Sequence, residues 1–84
     1  MHTKIKWPLT KLIEVEWDDA AVKGKWCGMA TYEECEPCRC RTVGYLLKAD
    51  QRRVVIIQNQ SRDGDVSDSM TIPRGCVRKM RKLK

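Results

Sequence analysis

Residues 42–59, TVGYLLKADQRRVVIIQN, constrain this chain more than any other stretch. They read as two strands and a polar turn. The first arm is Thr42, Val43, Gly44, Tyr45, Leu46 and Leu47. The second is Val54, Val55, Ile56 and Ile57, four β-branched residues in a row. Such residues lose side-chain freedom in a helix and pack well on a pleated surface. An apolar run this short, bounded by polar residues, predicts a strand covered on both faces. Lys48, Ala49, Asp50, Gln51, Arg52 and Arg53 form the expected turn. This is the most hydrophobic part of the chain, so the rest is expected to pack around it.

The segments on either side follow the same logic. Ile13, Val15 and Trp17 alternate with Glu14 and Glu16, the pattern of a half-buried strand. Asp18 and Asp19 are expected to end it, because short carboxylates favour turns. Residues 27–41, CGMATYEECEPCRCR, show neither a helical nor a strand period. They predict a long loop, with one helical turn near residues 31–34 that Thr31 would cap. A loop of this length in a small domain tends to be functional or disordered. Residues 59–69 predict a second polar loop turning at Asp63 and Gly64. Met70, Thr71 and Ile72 make a short strand stopped by Pro73. Residues 76–83 make a last one, although Val77, Met80 and Leu83 fit a helical period equally well. Residues 1–10 predict a loose lead-in, anchored if anywhere by Trp7 and Pro8.

Eighty-four residues make a single domain, 1–84, with a small core. Domains of this size often need a metal, disulfides or oligomerisation. No apolar run reaches the roughly 18 residues of a membrane span, so no membrane partner is expected. The N-terminus lacks the apolar region of a secretory signal, and the expected compartment is the cytoplasm. Thiols stay reduced there, and five cysteines cannot all pair within one chain.

The net charge is +6. Residues 1–73 hold eleven basic and eleven acidic side chains, so the excess lies entirely in residues 74–84. That basic strand or tail favours an anionic partner, whether a phosphorylated small molecule, a nucleic acid or an acidic protein face. A solvated, ligand-free end is the plain alternative.

The order Val15, Glu16, Trp17, Asp18, Asp19, Ala20, then Gly24, Lys25, Trp26, then VGYLL (43–47), VVII (54–57) and IPRG (72–75) resembles a group of small bacteriophage and prophage proteins. The resemblance spans roughly residues 13–83. It implies an all-β fold, a small SH3-like five-stranded barrel with a long Cys-rich loop, and a phage origin that places the chain in the host cytoplasm. These marks are packing patterns and imply no catalysis. The cysteine cluster is a departure from the pattern. In such a barrel Trp17 and Trp26 are expected to close the ends of the core. Gly44 predicts a bend or bulge.

Cys27, Cys35, Cys38 and Cys40 are the sharpest chemical constellation. Four thiolates make a closed tetrahedral site, so structural zinc is one expectation, with Cys76 able to replace Cys27 or Cys40. Free or oxidised thiols are the other. Catalysis has little to draw on. A nucleophilic cysteine needs a base, and the only histidine is His2, near the N-terminus. Gly24 and Lys25 lack the rest of a phosphate loop. The chain is therefore read as non-enzymatic. Arg39, Arg41, Arg52, Arg53, Arg74 and Arg78 are candidate phosphate ligands, because guanidinium forks match phosphate oxygens. Trp26 and Tyr32 are candidates to stack on bases. The expected function is sequestration of an anionic, nucleotide-like ligand by an oligomer, as a phage counter-defence factor. A nucleic-acid module using the basic tail and an inhibitor of a host protein are the alternatives.

Overall fold

The computed structural model describes residues 7–22 and 24–83. Five strands, β1 (Leu12–Asp19), β2 (Cys38–Ala49), β3 (Arg53–Gln60), β4 (Val66–Pro73) and β5 (Val77–Lys82), form one antiparallel sheet in the order β4-β3-β2-β1-β5. One short helix, α1 (Met29–Glu33), lies between β1 and β2, and a 3-10 turn (Arg74–Cys76) joins β4 to β5. The fold is all-β. The sheet is open, with β4 and β5 as its edges. Among the described residues no helix is long and apolar enough to cross a membrane.

The alternation of β1 sends Ile13, Val15 and Trp17 into the core, together with Val54, Ile56 and Ile72. Cys40, Leu46, Cys76, Val77 and Met80 pack around them. Ile57 is also buried, on the opposite side of β3 from Ile56, as the uninterrupted apolar run predicts. The Trp17 indole N–H donates to Thr42 Oγ1 at 2.9 Å, so the largest core ring keeps a partner for its one polar atom.

Several boundaries differ from the sequence reading. β2 starts at Cys38, four residues before the expected arm, because Arg39 and Arg41 pair with Asp18 and Glu16 and carry the ladder past the apolar core. Asp18 and Asp19 accordingly belong to β1. The helical turn falls at Met29–Glu33 with Gly28 as its N-cap and no side-chain cap, so Thr31 lies inside it. β4 begins at Val66, within the expected polar loop. Residues 61–65 alone make the turn, closed by Ser61 N–H to Asp65 O at 2.8 Å, with Gly64 at φ +92°. These outer strand residues are exposed and lie beyond the core. Residues 77–82 are strand rather than helix, since pairing with β1 sets Met80 opposite Val15.

Gly44 is not at a bulge. It pairs regularly with Ile13, and the shift in register falls between Leu46 and Lys48. The glycine is required because a Cβ there would meet the Ile56 side chain and come within 2.9 Å of the Ile57 carbonyl. Trp26 is fully exposed and closes no core. The lead-in is fastened from Leu9, whose N–H and C=O bond the Gln60 side-chain amide at 2.6 and 2.9 Å, while Trp7 and Pro8 are exposed. Residues 1–6, including His2, lie outside the described residues, as do Lys23 and Lys84.

Candidate functional site

The eight candidate ligand residues fall into three places. The first is the sheet face opposite the core. β1 sets Glu14, Glu16 and Asp18 in a row there, and arginines from both neighbouring strands close over them. Arg39 meets Asp18 at 2.7 Å, and Arg78 reaches the other oxygen of Asp18 at 3.6 Å. Arg41 lies 3.4 Å from Glu16 and 3.8 Å from Glu14. Arg81 lies 3.0 Å from Glu14. The hydrogen bond to Asp18, reinforced by that carboxylate's charge, raises the Arg39 pKa above its usual value. Arg39, Arg41 and Arg78, three of the six arginines expected to bind phosphate, are thus engaged by carboxylates on this face. The alternation marks Glu14 and Glu16 as the polar face of β1 without showing which side chains meet them, and Arg81 is not among the candidate ligands. The period-two spacing of acids in β1 and of Arg39 and Arg41 in β2 was the available signal.

The second place is the exposed connection between β1 and β2. Trp26 and Tyr32 line a shallow depression with Lys25, Cys27 and Met29. The Tyr32 hydroxyl donates to the Lys25 carbonyl, which ties the ring to the loop.

The third place is the corner where the β2–β3 turn meets the 3-10 turn. Asp50 organises it. Its Oδ1 accepts the N–H of Arg52 at 2.8 Å and of Arg53 at 2.9 Å, and its own N–H donates to the Arg53 carbonyl at 3.0 Å. Those two backbone donors hold its carboxyl below the ordinary carboxylate value. The Arg74 N–H donates to the Arg52 carbonyl at 2.9 Å, and Arg53 pairs with Pro73 across the ladder. Three arginines from two segments are thereby brought to one end of the sheet. A concavity lined by Ala49, Asp50, Gln51, Arg74 and Met80 adjoins them. Arg53 stands 3.9 Å from Asp50, a loose pair, and Arg74 reaches the Met80 thioether at 3.9 Å. Among the described residues neither Arg52 nor Arg74 has a carboxylate within ion-pair distance.

The thiols are divided as well. All five cysteines are free. Cys38 and Cys40 stand on one face of β2 with their sulfurs 4.0 Å apart. Cys27 and Cys35 are exposed in the preceding connection, where Cys35 contacts the Thr31 carbonyl at 3.7 Å. Among the described residues no three His, Cys, Asp or Glu side chains gather in a metal-holding arrangement. The structure therefore brings together two of the four sulfurs a closed zinc site would use.

No protein-family model matches the chain, and comparison with curated proteins and with solved structures returns no match.

Proposed function

We propose that this protein is a non-enzymatic binder of a phosphate-bearing ligand of the nucleotide class, held by Arg52 and Arg74 with Arg53 beside them. One observation carries the reading. Of the six candidate arginines, the two with no carboxylate within ion-pair distance among the described residues, Arg52 and Arg74, are adjacent in the backbone, joined through the Arg74 N–H to Arg52 carbonyl bond. Guanidinium groups left unneutralised are suited to bidentate phosphate contact. The ion-paired face would have to give up its bonds with Glu14, Glu16 and Asp18 to do the same. The resemblance to small phage proteins suggests sequestration of a host nucleotide signal as the use of such a site. The strand order, with the 3-10 turn leading from one sheet edge to the other, is compatible with the SH3-like barrel that resemblance implies.

A melting-temperature screen against nucleoside mono-, di- and triphosphates and cyclic dinucleotides tests the reading. A ligand at one hundred times its Kd adds about 2.7 kcal/mol to stability. At least one member of the panel should raise the melting temperature of the wild type, and the shift should vanish in Arg52→Ala/Arg74→Ala. A steep linear loss of affinity for single- or double-stranded nucleic acid with rising salt, with no response to mononucleotides, would favour a nucleic-acid module instead.

A further inference from the structure

The start of β2 carries a second, separate chemistry. Strand alternation puts Cys38 and Cys40 on the same face and sends Arg39 to the other, where it is occupied by Asp18 at 2.7 Å. The two sulfurs are 4.0 Å apart. Cys38 is exposed, and Cys40 is half-buried against the core. Opposite them in β1 stand Asp19, paired with Cys38, and Trp17, paired with Cys40.

This spacing disfavours a disulfide. Two residues of extended strand span about 6.7 Å, at the upper limit of the Cα separation a disulfide accepts, and the sulfurs would have to close to about 2.05 Å. Pairing of both residues with β1 resists the buckling that would require. The same spacing suits one shared metal ion. Two metal–sulfur bonds of about 2.3 Å place their sulfurs about 3.8 Å apart at a tetrahedral angle and about 4.6 Å apart when linear. The observed separation lies between these values. The donor set is also selective. With no third protein group gathered among the described residues, an ion that needs four ligands is poorly served, whereas a soft ion content with two thiolates is satisfied. The Asp19 carboxylate on the same face adds negative charge that favours a cation and disfavours thiol-reactive anions.

We propose that Cys38 and Cys40 form a two-thiolate site for a single soft monovalent metal ion of the copper(I) class. Binding involves no redox change. Each thiol releases its proton to solvent as its sulfur–copper bond forms, and the copper stays monovalent. The site is independent of the Arg52–Arg74 corner.

The test is an anaerobic titration of the reduced full-length protein with copper(I) against a chromogenic copper(I) chelator. One equivalent should bind per chain, with the protein remaining monodisperse at an unchanged oligomeric state. Cys38→Ser, at an exposed position, should lose that equivalent, and Cys27→Ser/Cys35→Ser should keep it. Full binding by Cys38→Ser, loss in the double variant, or half an equivalent accompanied by copper-dependent dimerisation would each overturn the proposal. X-ray absorption of the loaded wild type gives a readout that does not depend on the variants folding. Two sulfur neighbours per copper are expected, and three or more contradict the site.

Discussion

Gly44 lies directly against Ile56, so close that a Cβ on the glycine would enter the isoleucine side chain and approach the Ile57 carbonyl to 2.9 Å. Ile56 is fully buried and Gly44 sits across the sheet from Ile13, so neither strand can withdraw without opening the core. Gly44→Ala should therefore destabilise by about 3 kcal/mol, the range of an overpacked core position. Urea denaturation measures it. A loss below about 0.5 kcal/mol would mean that β2 and β3 are not in this register.

The Trp17–Thr42 hydrogen bond makes a second prediction. Thr42→Val removes the acceptor and leaves the indole N–H of a buried ring without its partner, at a cost of about 1–2 kcal/mol. Trp26→Phe, at a fully exposed site, should change stability by no more than about 0.5 kcal/mol. Iodide should quench Trp26 fluorescence and spare Trp17.

On the ionic face, Glu14 stands between Arg81 at 3.0 Å and Arg41 at 3.8 Å. The arginine side chains are more than half exposed, which keeps such pairs weak. Glu14→Gln should cost about 0.5–1 kcal/mol in low salt, and the difference should shrink as salt is added. An equal cost in low and high salt would show that Glu14 acts by packing rather than by charge.

Asp50 gives a pH dependence of known sign. Its folded-state pKa is lowered, chiefly by the N–H groups of Arg52 and Arg53. The stability it contributes is therefore present above the unfolded-state value and is lost as pH falls through the folded one. The loss should begin near the ordinary carboxylate value of 3.8 and continue below it. Asp50→Asn retains an oxygen acceptor but cannot titrate. Its denaturation midpoint should fall less than that of the wild type as the solution is acidified past that value. Parallel decline in both proteins would remove Asp50 from the acid transition.

Much of the sheet was legible in the chain because burial writes a period into sequence. Ile13, Val15 and Trp17 alternate and are buried, and the run from Val54 to Ile57 is covered on both sides. Strand ends were less legible where no burial marks them. Cys38 to Arg41 extends by ion pairing with β1, and Val66 to Ser69 by hairpin pairing together with the Asn59 side-chain amide donating to the Asp68 carboxylate at 2.7 Å. The candidate site was harder still. The six candidate arginines look alike in a linear chain. Only register shows that Arg39, Arg41 and Arg78 meet acids, and only the hydrogen bond between the two turns shows that Arg52 and Arg74 meet each other. The same holds for the thiols, where spacing suggested four together and strand geometry pairs two.

The most direct test of the Arg52–Arg74 corner is calorimetric titration with the nucleotide that most stabilises the wild type. Wild-type protein should bind it. Arg52→Ala/Arg74→Ala should weaken binding by about tenfold to a hundredfold for each charge-assisted hydrogen bond removed, and Arg39→Ala/Arg41→Ala should bind as the wild type does. Unchanged affinity in Arg52→Ala/Arg74→Ala, with binding abolished in Arg39→Ala/Arg41→Ala, would move the site to the ionic face and contradict the assignment.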